Sequence, residues 1–327
     1  PVLSLFRSGL TLSGAGLMAA FADYDRDGDL DLYLVTNRIK PPPGLLQERF
    51  NVATGPNGEP ILPDRYAQYA GLVKMPGGKY KQVASAQFDY LFRNDGNDEA
   101  GRPKFTDVSV PAGIWSTGYG LSATWWDYDS DGWIDLYVAN DFYGAYRLYR
   151  NNRDGTFSDF STEWGFAEPG ISQGMALADL DNDGDMDVVR NNRLEEAGVY
   201  ENLATGLRVR VELRGLNGNR FGIGSKVAIK QGGSVQQQEI ISGGRYLSSG
   251  QPVRSFGVPT ANFEISVTWP SGRLSQLKSP KANFAYIITE PKEPALAKLG
   301  QPHSTPLFKD VSVVLGHSHF DEPFLDF

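Results

Sequence analysis

Asp23-Tyr24-Asp25-Arg26-Asp27-Gly28-Asp29-Leu30-Asp31 decides the reading of this chain, because the same nonapeptide returns twice. The other copies are Asp127-Tyr128-Asp129-Ser130-Asp131-Gly132-Trp133-Ile134-Asp135 and Asp179-Leu180-Asp181-Asn182-Asp183-Gly184-Asp185-Met186-Asp187. Places one, three, five and nine are always Asp, and place six is always Gly, as a turn with positive φ requires. Place seven drifts from Asp29 to Trp133 to Asp185, so a ligand there has to be the backbone carbonyl. Four carboxylates, one carbonyl and water give a cage of about six or seven oxygens, which suits a hard cation, and the flexible geometry favours Ca2+ over Mg2+. Three Ca2+ sites are therefore predicted.

An EF-hand loop opens in the same way but needs a bidentate Glu at its twelfth place and flanking helices. Leu34, Val138 and Arg190 stand at those places. Each loop runs instead into an apolar, β-rich stretch: Leu30 to Val35, Ile134 to Val138 and Met186 to Val189. Two strands, not two helices, are expected to flank each cation.

The loops belong to a larger repeat. Phe105-Thr106-Asp107-Val108-Ser109 and Phe157-Ser158-Asp159-Phe160-Ser161 lie 52 residues apart, as do the loops at 127 and 179 that follow them. Leu91-Phe92-Arg93-Asn94, Leu148-Tyr149-Arg150-Asn151 and Val199-Tyr200-Glu201-Asn202 come 68, 21 and 20 residues after the start of their loops. The first unit is thus swollen by about 47 residues. The Pro-rich stretch from Arg38 to Gln87, with little strand alternation, reads as an insertion that leaves the scaffold and contacts a partner chain or the following domain. Short strands, a turn in each unit and a period near 50 indicate an all-β chain with the blades of a partial β-propeller.

Taken together, these signatures resemble the FG-GAP or VCBS repeats of integrin-like propellers over residues 1–203, with 38–87 inserted. From residue 206 to 290 a different pattern follows. Asn219-Arg220-Phe221-Gly222-Ile223-Gly224, Phe256-Gly257 and Trp269-Pro270-Ser271-Gly272 resemble the small β ASPIC/UnbV domain that follows such repeats in a cartilage-acidic-protein-like bacterial family. Val258-Pro259 departs from that family's usual continuation after Phe-Gly. A Pro-rich linker, 291–306, leads to a tail, 307–327, in which Phe308-Lys309-Asp310-Val311-Ser312 restarts the repeat. A further loop would fall beyond Phe327, so the chain is expected to be a piece of a longer protein. The gap left by three blades is expected to be filled by upstream residues, by the tail or by a partner.

Composition narrows the function. Hydrophobic residues are 40% of 327, which excludes wholesale disorder, and the net charge is −8, much of it in the loops. Three Ca2+ would leave about −2. No basic patch points to nucleic acid, no run of about 18 apolar residues spans a membrane, and Cys is absent. Millimolar Ca2+ outside the cytoplasm would fill such loops, which predicts a periplasmic or surface location in a bacterium.

Catalytic signals are weak. Gly170-Ile171-Ser172-Gln173-Gly174 has the spacing of a nucleophile elbow but leads into a blade strand, and His303, His317 and His319 lie in linker and tail. Trp126 stands where Ala22 and Ala178 precede the other loops; with Trp133 it forms either an aromatic contact patch or a plug against the neighbouring blade. The chain is read as a non-enzymatic interaction module or accessory subunit for protein partners, including a membrane-associated complex. The alternative is a carbohydrate-binding or hydrolytic propeller that uses the propeller face.

The metal ligands predicted are Asp23, Asp25, Asp27, Asp29 and Asp31; Asp127, Asp129, Asp131, Trp133 and Asp135; and Asp179, Asp181, Asp183, Asp185 and Asp187.

Overall fold

The structure is a computed structural model. It describes residues 10, 16–37, 53–55, 58, 60–62, 70–74, 80–84, 88–99, 101–114, 118–141, 146–166, 172–192, 196–245, 247–260 and 262–292. The chain is all-β, with five sheets of three or four strands among the described residues.

Strands β1 (Gly16–Ala22) and β2 (Asp31–Thr36) open the first blade. Two hairpins, β3 (Ala53–Thr54) with β4 (Pro60–Ile61) and β5 (Ala70–Lys74) with β6 (Tyr80–Ala84), lie within the predicted insertion. Where the sequence predicts little strand structure, there are thus two short antiparallel ladders. Neither joins the blade, because β2 pairs directly with β7 (Tyr90–Asn97), which pairs with β8 (Pro103–Asp107). The insertion therefore separates the second and third strands of blade one.

Blade two is the meander β9 (Tyr119–Trp126), β10 (Asp135–Asp141), β11 (Arg147–Asn151) and β12 (Phe157–Asp159). Among the described residues blade three has three strands, β13 (Ser172–Ala178), β14 (Asp187–Asn192) and β15 (Gly198–Tyr200). The acidic nonapeptide is the turn between the first two strands of every blade, in one register: Ala22 faces Asp31, Trp126 faces Asp135 and Ala178 faces Asp187.

Alternation along β9 sends its two tryptophans opposite ways. Trp125 packs into the core shared with blade one, beside Tyr33, Leu136 and Phe157. Trp126, only 6% exposed, packs with Met175 and Leu177 of blade three. Trp126 is thus a seam plug, while Trp133 lies under the guanidinium of Arg26, 4.3 Å from it.

The remaining strands form two facing sheets. One is β19 (Val253–Gly257), β16 (Arg208–Arg214) and β22 (Phe284–Thr289), with β16 and β22 parallel. The other is β18 (Ser234–Glu239), β17 (Lys226–Gln231), β20 (Glu264–Thr268) and β21 (Leu274–Lys278). Val209, Val211 and Phe256 from the first meet Val227, Ile265 and Val267 from the second in a core closed by Trp269. Linker and tail from residue 293 lie outside the described residues, as do all three histidines.

Asp89 closes the base of the insertion. Its buried carboxylate accepts the Tyr33 hydroxyl at 2.8 Å and the Thr36 amide at 2.7 Å, yet burial pushes it up to about 7 from an ordinary 3.8. A raised folded value means stability that is present below the unfolded value and lost as pH rises through about 7. Asp89→Asn should remove that loss, so its melting temperature relative to the parent rises between pH 4 and pH 8, by on the order of a few kcal/mol in stability. Parallel melting curves across that range would refute the assignment.

Candidate metal centre

Local chemistry shapes each loop before any ion is considered. Place four takes positive φ in all copies (Arg26 64°, Ser130 56°, Asn182 66°), and so does the Gly at place six (97°, 91° and 99°). Two left-handed residues two apart curl the backbone inward, and only Gly adopts such values without steric cost. Loop amides then turn toward carboxylates: Asp29 N donates to Asp27 Oδ1 at 2.9 Å, Trp133 N to Asp131 Oδ1 at 2.8 Å and Asp185 N to Asp183 Oδ1 at 3.1 Å.

The place-nine aspartates are the anchors. Asp31 accepts the amides of Tyr24 (3.2 Å) and Asn94 (2.8 Å), Asp135 those of Tyr128 (3.2 Å) and Asn151 (2.8 Å), and Asp187 those of Leu180 (2.7 Å) and Asn202 (2.8 Å). One carboxylate thereby ties the loop to an asparagine in or just beyond the blade's third strand.

Carboxylates converge in each loop, with one oxygen per residue mutually within 4.8 Å: Asp23, Asp25 and Asp27; Asp127, Asp129 and Asp135; Asp179, Asp181 and Asp187. Place five belongs to the cluster only in the first loop, and place nine only in the other two. The side chains of Asp29, Trp133 and Asp185, at place seven, belong to none.

Arginines account for part of this. Asp131 pairs with Arg153 at 2.7 Å and lies 3.7 Å from Arg150, which also reaches Asp129 at 3.0 Å. Arg208 pairs with Asp183 and, at 3.2 Å, with Asp185. The Nε of Arg210 lies 3.1 Å from Asp179 Oδ2.

Burial and mutual repulsion hold several loop carboxyls well above their usual range. Asp31 and Asp185 are pushed up to about 7, each chiefly by burial. Asp127 reaches about 8 through burial and then the charges of Asp131 and Asp129, and Asp135 is raised through burial and Asp127. Asp23 Oδ1 and Asp179 Oδ1 are buried with no hydrogen-bond donor. An all-oxygen set with orphaned buried acceptors fits a hard cation. Three acidic clusters of the chain can thus hold a metal ion.

The second domain leans on these loops through residues the sequence reading missed. Gly257 N donates to Asp127 Oδ2 at 2.9 Å, alongside Gly132 N at 2.9 Å. Ser255 Oγ donates to the Gly184 carbonyl at 2.9 Å, and Arg26 Nη1 to Ser234 Oγ at 3.1 Å. Along the inner edge of blade three, Gln251 N donates to Leu177 O at 2.8 Å and Met175 N to Ser248 Oγ at 3.1 Å. Arg208 and Arg210, two apart on β16, share one face, and that spacing was the available signal.

Residues 127–189 match the family model described as FG-GAP-like repeat, and residues 215–295 match that described as ASPIC and UnbV. No curated protein matches the chain. Among solved structures, the Photorhabdus luminescens Tc holotoxin pore aligns with 84% of this chain and 12% of that chain, at 16% identity and a TM-score of 0.20, a likeness too slight to equate the folds.

Gly257 tests the docking. A Cβ there would lie 2.3 Å from Asp127 Oδ2 and 2.6 Å from Gly132 N, and neither can retreat without opening the loop. Gly257→Ala should destabilise the chain by about 1–3 kcal/mol in urea unfolding and speed amide exchange in 127–135, because overpacking of a closed contact costs that much. Unchanged exchange in that loop would remove the interface from the site.

Residues 127–189 are thus similar to an FG-GAP-like repeat, and residues 215–295 to an ASPIC and UnbV domain.

Proposed function

We propose that the chain is a non-enzymatic, Ca2+-stabilised interaction module, working outside the cytoplasm as a surface protein or as an accessory subunit of a larger complex. The observation that carries this is the threefold convergence of aspartate oxygens in the turn between two strands, with Asp23 Oδ1 and Asp179 Oδ1 buried and without a donor. Repetition on successive blades favours a structural ion over a reactive one. A catalytic metal needs an open position and a neighbouring base. Ca2+ rather than Mg2+ follows from the all-oxygen, irregular ligand sets. Bound between two strands, the ion would offset the carboxylate repulsion that burial creates, which makes metal binding part of folding.

A non-catalytic role is supported by Ser172, which pairs with Asn192 in the β13–β14 ladder, whereas a nucleophile elbow needs a strand leading into a helix. An extracytoplasmic site is supported by the millimolar Ca2+ available there. Among the described residues no helix is long and apolar enough to cross a membrane.

The test is Ca2+ titration by calorimetry with melting curves in Ca2+ and in excess chelator. Saturation at about 100 times Kd should add about 2.7 kcal/mol per site, so the chelated protein should melt several degrees lower. Asp127→Asn with Asp129→Asn should remove one binding equivalent of three. Identical melting in both conditions, or no heat of binding, would overturn the proposal.

A further inference from the structure

Among the described residues blade three stops one strand short. In the first two blades the outer strand is the Phe-x-Asp segment, in one register: Phe105 faces Asn94 and Asp107 faces Phe92, while Phe157 faces Asn151 and Asp159 faces Tyr149. Just beyond it, Ser109 and Ser161 each accept a backbone amide from the third strand, Leu91 N and Leu148 N, both at 2.9 Å. Among the described residues β15 has no outer neighbour. Val199 stands where Leu91 (0% exposed) and Leu148 (1%) stand in the other blades, and it is 63% exposed. An exposed apolar residue on a strand with no described outer neighbour is a surface suited to a partner strand.

The seam behind that edge is also incomplete. Between blades one and two, Phe157 fills the seam, with its ring centroid 5.5 Å from Tyr24 and 6.0 Å from Trp125, and its amide donates to the Ala112 carbonyl at 2.8 Å. Between blades two and three the same place is a cavity of about 510 Å³, lined by Tyr128, Trp164, Met186, Val188 and Tyr200 among others. By the repeat, Tyr128 corresponds to Tyr24 and Trp164 to Ala112. After Asn202 the chain leaves the blade for β16, so the residue equivalent to Phe157 is missing from this stretch.

We propose that Phe308-Lys309-Asp310-Val311-Ser312 is the fourth strand of blade three, pairing antiparallel with β15. The chain holds three copies of this Phe-x-Asp-x-Ser signature, and the other two are the outer-strand segments of blades one and two. The shared register sets Phe308 against Asn202, Lys309 against Glu201 and Asp310 against Tyr200. Phe308 fills the cavity, its amide donating to the Trp164 carbonyl, and Ser312 accepts the Val199 amide. Lys309 and Glu201 form an opposite-charge cross-strand pair, which such ladders favour. The fifteen residues 293–307 reach up to about 50 Å when extended, on the scale of a domain diameter. The ASPIC/UnbV domain is then an insertion between the third and fourth strands of one blade, and the tail completes this blade instead of opening another.

Because the chain has no Cys, engineered pairs read out the register cleanly. In the full chain, Glu201→Cys with Lys309→Cys should form an intrachain disulfide on mild oxidation, independent of protein concentration. Glu201→Cys with Phe308→Cys, or with Asp310→Cys, should not, since a one-residue shift turns the side chain to the other face. Phe308→Ala should speed amide exchange at Val199 about ten-fold or more, while Phe320→Ala leaves it unchanged. A pair at 201 and 309 that stays reduced in folded protein, or joins only two copies of the chain, overturns the proposal. So does equal cross-linking in all three registers, or exchange at Val199 that ignores Phe308.

Discussion

One carboxylate per blade, at the ninth place of the loop, holds the scaffold in register. Asp31, Asp135 and Asp187 are almost fully buried, and each accepts two backbone amides, one from the loop and one from an asparagine in or just beyond the third strand. A buried anion is costly unless it is hydrogen-bonded, and two amides are a minimum payment for it. That asparagine completes the knot. The side-chain amide of Asn151 donates to the Ile134 carbonyl at 3.0 Å, and its side-chain oxygen accepts the Arg153 amide at 2.9 Å.

The same asparagine joins neighbouring blades. Asn151 Nδ2 also donates to the Tyr24 carbonyl of blade one at 2.9 Å, and Asn202 Nδ2 to the Tyr128 carbonyl of blade two at 2.9 Å. The acceptor is the second residue of the preceding loop. Any change in the curl of one loop therefore moves an acceptor required by the next blade, so the loops are coupled mechanically as well as through charge. The apolar seams add bulk to this polar stitch, with Trp125 on one side of β9 and Trp126 on the other.

The blade interior was legible in the sequence because its determinants act locally. An Asp that caps amides in its own hairpin, a Gly at positive φ and an Asp-x-Ser turn in which Asp159 accepts the Ser161 amide all depend on residue identity at short spacing. The insertion was legible from a single offset. Its two hairpins were not, since strands of two to five residues amid prolines carry too little alternation to register. The docking of the second domain was invisible for a different reason. Gly257 meets Asp127 across 130 residues and Ser255 meets Gly184 across 71, and nothing local marks a Gly or a Ser for contact at that distance. The place-by-place ligand assignment was a uniform reading of three copies, and the surroundings of the copies are not uniform.

That last difference follows from where the arginines stand. In the second loop Asp131 is engaged by Arg153 from its own blade, and in the third Asp183 is engaged by Arg208 from the adjoining domain. Place five is thereby drawn out of the oxygen cluster in both. In the first loop Asp27 is exposed, and among the described residues it makes no ion pair, so it stays in the cluster. A guanidinium offsets a carboxylate's charge but occupies the lone pairs that a cation would use. It is also fixed to the chain, whereas an ion comes and goes with its concentration. The three loops therefore share one sequence and differ in how much of their charge the protein neutralises by itself. The third, facing both Arg208 and Arg210, depends on the second domain remaining docked, which ties the electrostatics of the blade to the position of a domain that contributes no acidic ligand.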